Sequence, residues 1–454
     1  MRPILAIDIG STWTKGMLFA VDPECGLRSL AAHRIPTTIG NLADGFDACR
    51  SALDPGGEAE LFYSSSAKGG LRIAALGIVP DLTLKMAKEA ACSAGGKIAT
   101  VCAYKLNEND IAEITASRPD IILFSGGTDG GNEVYILHNL ELLRRLPPSI
   151  PVIYAGNRVL QRRVAETLAD RELKVVDNLL PELEKPNPEP AREAIRDLFL
   201  KHIVAGRGLD RIVAATGRNP LPTPYAMLEF LRVFYDFTDR RCDFAVVDMG
   251  GATTDFYSGC SEDNEALVIR RGLPEPPVKR TVEGDIGMRV SAHAAFEEAG
   301  DEIAARRGEE FRRAMADYID MVGTDTSHLP VDEKERDFDR ELAGACCTVA
   351  LRRHAGRRRR IYTCNGPVEL QNGRNLRRVK LVIGSGGFLS RLDGEVISGL
   401  FWPTPPDPEE EMLTPREFQC LPDAGSQLVM IANAAQGHPE AACRRFGREI
   451  RWER

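Results

Sequence analysis

The chain has 454 residues, more than one compact core usually holds, so at least two domains are expected. Hydrophobic residues make up 43% and charged residues 27%, with 58 Lys and Arg against 66 Asp and Glu for a net charge of −8. That balance excludes the global cationic field that would hold nucleic acid or an anionic membrane, and no apolar run approaches the roughly 18 residues of a membrane span. The first residues, MRPILAID, place an Asp inside the apolar run and carry no cleavage-like segment, which argues against a signal peptide. The 11 cysteines include no C-x-x-C pair and the 7 histidines are scattered. Reduced, mostly buried thiols in a cytoplasmic protein are expected, with no dedicated transition-metal site.

Residues 3–9 form a short apolar strand ending at Gly10, and after the turn Gly10-Ser11-Thr12 a second strand at 13–20 completes a hairpin. From 71 to 156 strands and helices alternate: strand 71–79, helix 81–94 with Asp81 as its N-cap, strand 97–103, helix 109–117, buried strand 120–125, helix 134–145 and strand 152–155. Strands separated by helices of this length make parallel βαβ units, so 71–190 reads as an inserted α/β subdomain ending in a four-proline linker at 181–190. Helices follow at 191–205 and 225–234. The segment 243–257 then repeats the opening pattern: an apolar strand, Asp248, Met249-Gly250-Gly251 and a second strand. Two hairpins with the same turn, 240 residues apart, indicate a duplicated domain. The remainder predicts one long helical region at 292–318, a helix at 335–354, a strand at 380–383 meeting a glycine turn and a helix, an acidic Pro-rich loop at 402–411 and a final helix from about 425. The run Arg357–Arg360 reads as a solvated turn, with a docking patch for an acidic partner as the lesser reading.

Three segments carry chemistry. In Asp8-Ile9-Gly10-Ser11-Thr12-Trp13-Thr14-Lys15 a strand-end carboxylate suits a hydrated Mg²⁺. The Gly10-Ser11-Thr12 turn offers N–H and hydroxyl donors to phosphate, and Lys15 offers positive charge. In Asp248-Met249-Gly250-Gly251-Ala252-Thr253-Thr254-Asp255 two glycines permit close approach of backbone to phosphate and Thr253 and Thr254 add hydroxyls. Asp248 and Asp255 would repel each other if buried without a cation. The third segment, Gly384-Ser385-Gly386-Gly387, follows a strand. Asp8 and Asp248 are expected at solvent-facing turns.

Together these segments resemble the two phosphate motifs and the adenosine motif of the actin, sugar-kinase and heat-shock-protein ATPase superfamily. The resemblance implies an α/β fold with two lobes, a duplicated ribonuclease-H-like core and Mg·ATP as the ligand, with Asp8 and Asp248 on the metal. It divides the chain into a first lobe segment (1–70), the α/β insert and linker (71–190), a return to the first lobe (191–242) and a second lobe (243–454). Residues 119–132 (PDIILFSGGTDGGN) and 282–290 (VEGDIGMRV) narrow it further. They resemble the MutL accessory proteins of glutamate mutase, a family unrelated to the mismatch-repair protein of that name, and similar in fold to the large subunit of diol dehydratase reactivase. That resemblance implies an ATP-hydrolysing chaperone that reactivates an adenosylcobalamin-dependent mutase, with the mutase subunits as partners, no nucleic acid or membrane, and self-association left open. Gly126, Gly127, Thr128 and Asp129 form either a ligand or partner site or a tight structural turn. The D-x-H-x-x-G signature of cobalamin's lower-ligand histidine is absent and the nearby His138 falls within a helix, so the insert is expected to face the partner. Glu283, Gly284 and Asp285 match the place of the superfamily's second connecting helix and read as a hinge. One of Asp248, Asp255 or Asp285 orients the attacking water. The alternatives within the fold are a small-molecule kinase, a hydantoinase- or oxoprolinase-like hydrolase subunit and a polymerising filament protein.

Overall fold

The computed structural model describes residues 2–38, 40–67, 71–204, 208–261, 265, 267–364, 366–405 and 407–452. Two compact units emerge: Met1–Val233 with Gly272–Pro274 and Val429–Glu453, and Phe234–Arg271 with Glu275–Leu428.

The first unit opens with β1 (Ile4–Ile9), β2 (Trp13–Asp22), β3 (Gly26–Pro36) and β4 (Glu60–Ser65). An insert supplies β5 (Arg72–Leu76), β6 (Lys97–Cys102), β7 (Ile121–Phe124), β8 (Val152–Tyr154) and β9 (Leu173–Val175), and β10 (Leu221–Pro222) returns to the first sheet. That sheet has the order β10-β4-β1-β2-β3. β1 lies at its centre, antiparallel to β2 and parallel to β4. Its residues are apolar apart from Asp8 and all are buried, as expected of a strand covered on both faces.

The second unit contains β11 (Phe244–Met249), β12 (Thr254–Gly259), β13 (Val268–Arg271), β14 (Val278–Glu283), β15 (Arg357–Thr363), β16 (Gly366–Asn372), β17 (Leu381–Ser385), β18 (Glu411–Met412) and β19 (Gln419–Pro422). Its main sheet runs β14-β12-β11-β17-β19. Here too the central strand pairs antiparallel on one side and parallel on the other, and the fourth strand pairs parallel with the fifth. Numbered within each unit, both sheets read 3-2-1-4-5. The core is therefore a duplicated ribonuclease-H-like sheet, and the fold is the actin-like ATPase class with an α/β insert. The insert is a parallel sheet of order β6-β5-β7-β8-β9 with its own apolar core around Ile122, Phe124, Ile136 and Tyr154.

Several elements differ from the sequence expectations. Asp81 is not the helix N-cap: it lies inside a π-turn at Pro80–Leu84 in which the Thr83 hydroxyl accepts from the N–H groups of Ile78 and Val79, and the helix starts at Lys85. The long helix at 292–318 is two helices, Ala292–Arg307 and Glu309–Thr324, because Gly308 sits at φ +89° between them. Arg357–Arg360 is not a turn. It lies in β15, where Arg358 is buried and paired bidentately with Glu265 at 2.7 and 2.9 Å. After Gly387 comes a 3₁₀ turn at Leu389–Arg391, and the expected helix is a short one at Gly394–Gly399. A helix at Leu209–Thr216 went unread. The expected second lobe ran from 243 to 454, whereas the segment that begins at Val429 groups with the first unit. Asn433 donates to the carbonyl of Ile7 and to Ser64, and Phe446 meets Phe230 edge-on.

Candidate functional site

The first hairpin places Asp8 directly opposite Lys15 across β1 and β2. The turn between them is closed by the Gly10 N–H donating to the carbonyl of Trp13 at 3.1 Å, and a Cβ at Gly10 would lie 2.8 Å from that oxygen. Only glycine fits there. Ser11 and Thr12 are exposed at the tip. Asp8 is not at a solvent-facing turn: it is part of β1 and 6% exposed. Its Oδ1 accepts from Ser64 Oγ at 2.9 Å and Thr223 Oγ1 at 2.7 Å, and Asn433 Nδ2 in turn donates to Ser64 at 2.8 Å. Burial raises the Asp8 pKa above the usual carboxylate range, against the lowering effects of Thr223, Lys15 and Ser64. The other oxygen, Oδ2, is directed at the Gly10 turn, 3.7 Å from where a Cβ on Gly10 would stand.

The second hairpin repeats this design. Asp248 pairs in register with Asp255, and Gly250 N–H donates to the carbonyl of Thr253 at 2.9 Å. Asp255 is buried, and the buried guanidinium of Arg280 at 2.7 Å supplies a counter-charge. Burial raises its pKa, with Arg280 opposing. Thr254 is buried and its hydroxyl donates to the Ile286 carbonyl, so Thr253 is the hydroxyl nearer the tip, while Asp248 remains half-buried. Beyond β14 the chain folds back over the tip. The N–H groups of Met288 and Arg289 donate to the carbonyls of Gly250 and Gly251 at 3.1 and 2.8 Å, and Ser291 Oγ donates to Ala252 at 2.7 Å.

The duplication extends beyond the two turns, to Ser385, which the third motif contains, and to Ser64, Thr223 and Asp423, which sequence reasoning missed. Ser64 on β4 is in register with Asp8, as Ser385 on β17 is with Asp248. Each fifth strand ends in Leu-Pro followed by a polar residue, Leu221-Pro222-Thr223 and Leu421-Pro422-Asp423. Thr223 donates to Asp8, and Asp423 Oδ2 accepts from Ser385 Oγ at 2.9 Å. The repeated Leu-Pro was the available signal. Gly386, at φ +94°, packs on the end of β11, where a Cβ would come within 2.1 Å of the Met249 carbonyl; a Cβ on the exposed Gly387 would meet nothing within 4 Å.

The other candidates are tied into the scaffold. Asp129 accepts from Arg158 N at 3.0 Å and Asn178 Nδ2 at 2.9 Å, and Asn178 also donates to the Gly127 carbonyl. Asn157 accepts from Gly130 N–H. Gly126 and Gly127 hold φ values of +149° and +67°. This network joins the loops after β7, β8 and β9, and Thr128 lies within it. His138 is a helix residue contacting the Leu106 carbonyl at 2.9 Å. Glu283-Gly284-Asp285 is the end of β14 and a turn, not a helix. Arg353 of the helix Glu333–His354 donates to Glu283 at 2.8 Å and Asp285 at 3.2 Å. Burial raises the Glu283 pKa in spite of that contact.

A model of the MutL protein family matches residues 4–450. The chain belongs to the MutL family. It is 37% identical over 418 residues to Protein MutL of Clostridium tetanomorphum, covering 87% of this chain and 88% of that one. Among solved structures it is similar to the inorganic polyphosphate/ATP-glucomannokinase of Arthrobacter sp. strain KM, at 12% identity and TM-score 0.28 over 96% of this chain and 100% of that one. It is also similar to the Aquifex aeolicus Ppx/GppA phosphatase, at 11% identity and TM-score 0.21 over 86% of this chain and 69% of that one. The fold assignment rests on strand order.

Among the described residues of this MutL chain, no cluster of three His, Cys, Asp or Glu side chains is placed to hold a metal ion, and no helix is long and apolar enough to cross a membrane. None of the eleven cysteines is in a disulfide, and nine are buried. A hydrated Mg²⁺ fits what is present: it needs one or two carboxylates and keeps several waters. Asp8, anchored through one oxygen and directing the other at a glycine turn, meets that requirement.

Proposed function

We propose that this MutL-family chain binds and hydrolyses Mg·ATP through the turns at Asp8–Lys15 and Asp248–Asp255, as the accessory factor that reactivates an adenosylcobalamin-dependent mutase of the glutamate mutase kind. The observation carrying the ATP reading is the repeated strand-end design: Asp-x-Gly, a turn closed by the glycine N–H, and an in-register serine on the neighbouring parallel strand. Asp8 and Asp248 hold the metal's water shell, and bound Mg²⁺ neutralises charge on the phosphate oxygens. Lys15 and the N–H groups of Ser11 and Gly251 serve the phosphates, Gly10 and Gly250 let the backbone come close to them, Thr12 and Thr253 add hydroxyls, and Gly386 and Gly387 adjoin the adenosine. Asp255, held by Arg280, positions its neighbour Asp248. The attacking water is then oriented by Asp248 or Asp285.

The insert serves the partner. The connections that follow its five strands carry five exposed large apolar side chains: Val79, Tyr104 and Leu183 in loops, Val159 in a 3₁₀ turn and Val134 at the start of a helix. Exposed apolar surface of this kind supports protein docking. The test is reactivation of cobalamin-inactivated glutamate mutase by the purified protein with Mg·ATP. Recovery that fails without ATP, or with the Asp248→Asn variant, supports the reading. ATP hydrolysis only in the presence of a phosphorylatable small molecule would replace it with a kinase.

A further inference from the structure

Above the second turn, one side chain links the glycine tip to an exposed apolar loop. The Arg289 N–H holds Gly251, while its guanidinium donates to the carbonyl of His328 at 3.3 Å and bidentately to Asp339 at 2.9 and 2.8 Å. Tyr318 OH donates to the same Asp339 at 2.9 Å. His328 contacts Glu335 at 2.8 Å, and the Val331 N–H donates to that carboxylate at 2.9 Å. Between these anchors lies Leu329, 70% exposed, with Val331 75% exposed, and Val290 beside Arg289 is 64% exposed. Core packing does not explain three apolar side chains held out in this way by polar anchors that lead back to the buried Asp339 and Tyr318. The segment 317–336 also holds six acids, Asp317, Asp320, Asp325, Asp332, Glu333 and Glu335, against the bases Lys334 and Arg336, apart from His328, with Arg336 paired to Glu333 at 2.9 Å.

We infer that Val290 and the loop 325–331 form a docking element for a protein surface that presents apolar side chains flanked by Lys and Arg, and that Arg289 sets its position according to what occupies the Gly250–Gly251 turn. The charge of the segment selects the partner: an acid-rimmed apolar patch is complementary to a cationic rim, and association should weaken with salt. The coupling follows from the bonds. A phosphate drawing on the turn's N–H groups moves the carbonyls that Met288 and Arg289 grip, and the guanidinium passes that displacement to the carbonyl before Leu329. This rests on the nucleotide reading of the turn and adds to it a partner chemistry and a route by which nucleotide state reaches that partner.

The test has two arms. In the first, amide hydrogen exchange across 325–331 is followed with and without Mg·ATPγS in the full chain and in Arg289→Lys, which keeps the charge but cannot span both His328 and Asp339. Nucleotide should change exchange in the loop of the wild type and much less in the variant. In the second, affinity for purified glutamate mutase is measured at low and high salt for wild type and the double variant Leu329→Ser/Val331→Ser. The double variant should bind about tenfold more weakly or worse, while its partner-free ATP turnover is unchanged. Loop exchange indifferent to bound nucleotide, or wild-type affinity in the double variant, overturns the inference. A wild type that hydrolyses ATP but never binds the mutase overturns both the named partner and the docking element while sparing the nucleotide site; a wild type that does not bind ATP overturns the site itself.

Discussion

Replacing Asp8 by Asn separates its cost to the fold from its use to the ligand. In the ligand-free protein the carboxylate is buried, and burial raises its pKa despite two hydroxyl donors and Lys15. For an acid with a raised folded pKa, the linked stability is fully present below the unfolded value near 3.8 and is lost as pH rises through the folded value. Above the unfolded value the buried Asp8 carboxyl therefore burdens the empty site. Asn is neutral, and its Oδ1 can still accept from Ser64 at 2.9 Å and Thr223 at 2.7 Å in the native arrangement. The variant should melt at or above the wild-type temperature without ligand, and its advantage should shrink towards pH 4. With ligand the order reverses. Nucleotide at a hundred times its Kd stabilises by about 2.7 kcal/mol, which at about 2–4 °C per kcal/mol for a domain of about 150–250 residues is a shift of roughly 5–10 °C. Differential scanning fluorimetry with and without Mg·ATP reads both terms. A variant that melts several degrees below wild type when empty, yet gains the full wild-type shift with Mg·ATP, would refute the reasoning.

Removing the guanidinium in Arg280→Leu leaves Asp255 buried without its partner and should cost about 3–5 kcal/mol, read by chemical denaturation; Arg280→Leu with Asp255→Leu should recover much of that loss. Thr223→Val removes one of the two donors to Asp8 and should destabilise by about 1–3 kcal/mol. The paired glycines should separate fold from binding. Gly386→Ala forces a Cβ against the Met249 carbonyl at positive φ and should cost at least about 1–3 kcal/mol. Gly387→Ala has open space, so its melting temperature should be unchanged while its Kd for ATP rises, as isothermal titration calorimetry would show.

The two hairpins were legible because Asp-x-Gly after an apolar strand is a local pattern, and finding it twice exposed the duplication. The insert's parallel units were legible for the same reason, as alternation of short apolar runs with helices. What failed was non-local. Nothing near Asp8 in sequence announces that Ser64, Thr223 and Asn433 close over it, because those contacts span 56, 215 and, through Ile7, 426 residues. Arg280 went unrecognised as the counter-charge of Asp255 because the pair depends on β12 lying beside β14. The Arg357–Arg360 run read as solvated since four arginines seldom sit in a strand, yet alternation buries Arg358 on Glu265 and leaves its neighbours exposed. The C-terminal helices were assigned by position in the chain, whereas packing of Phe446 on Phe230 joins them to the first unit.

Phosphate release from Mg·ATP by the purified protein, with no acceptor substrate and beside Asp248→Asn, tests the central claim most directly. Slow turnover in the wild type that vanishes in the variant is the predicted result. Equal turnover in the two proteins, or no binding of ATP by the wild type, would contradict it.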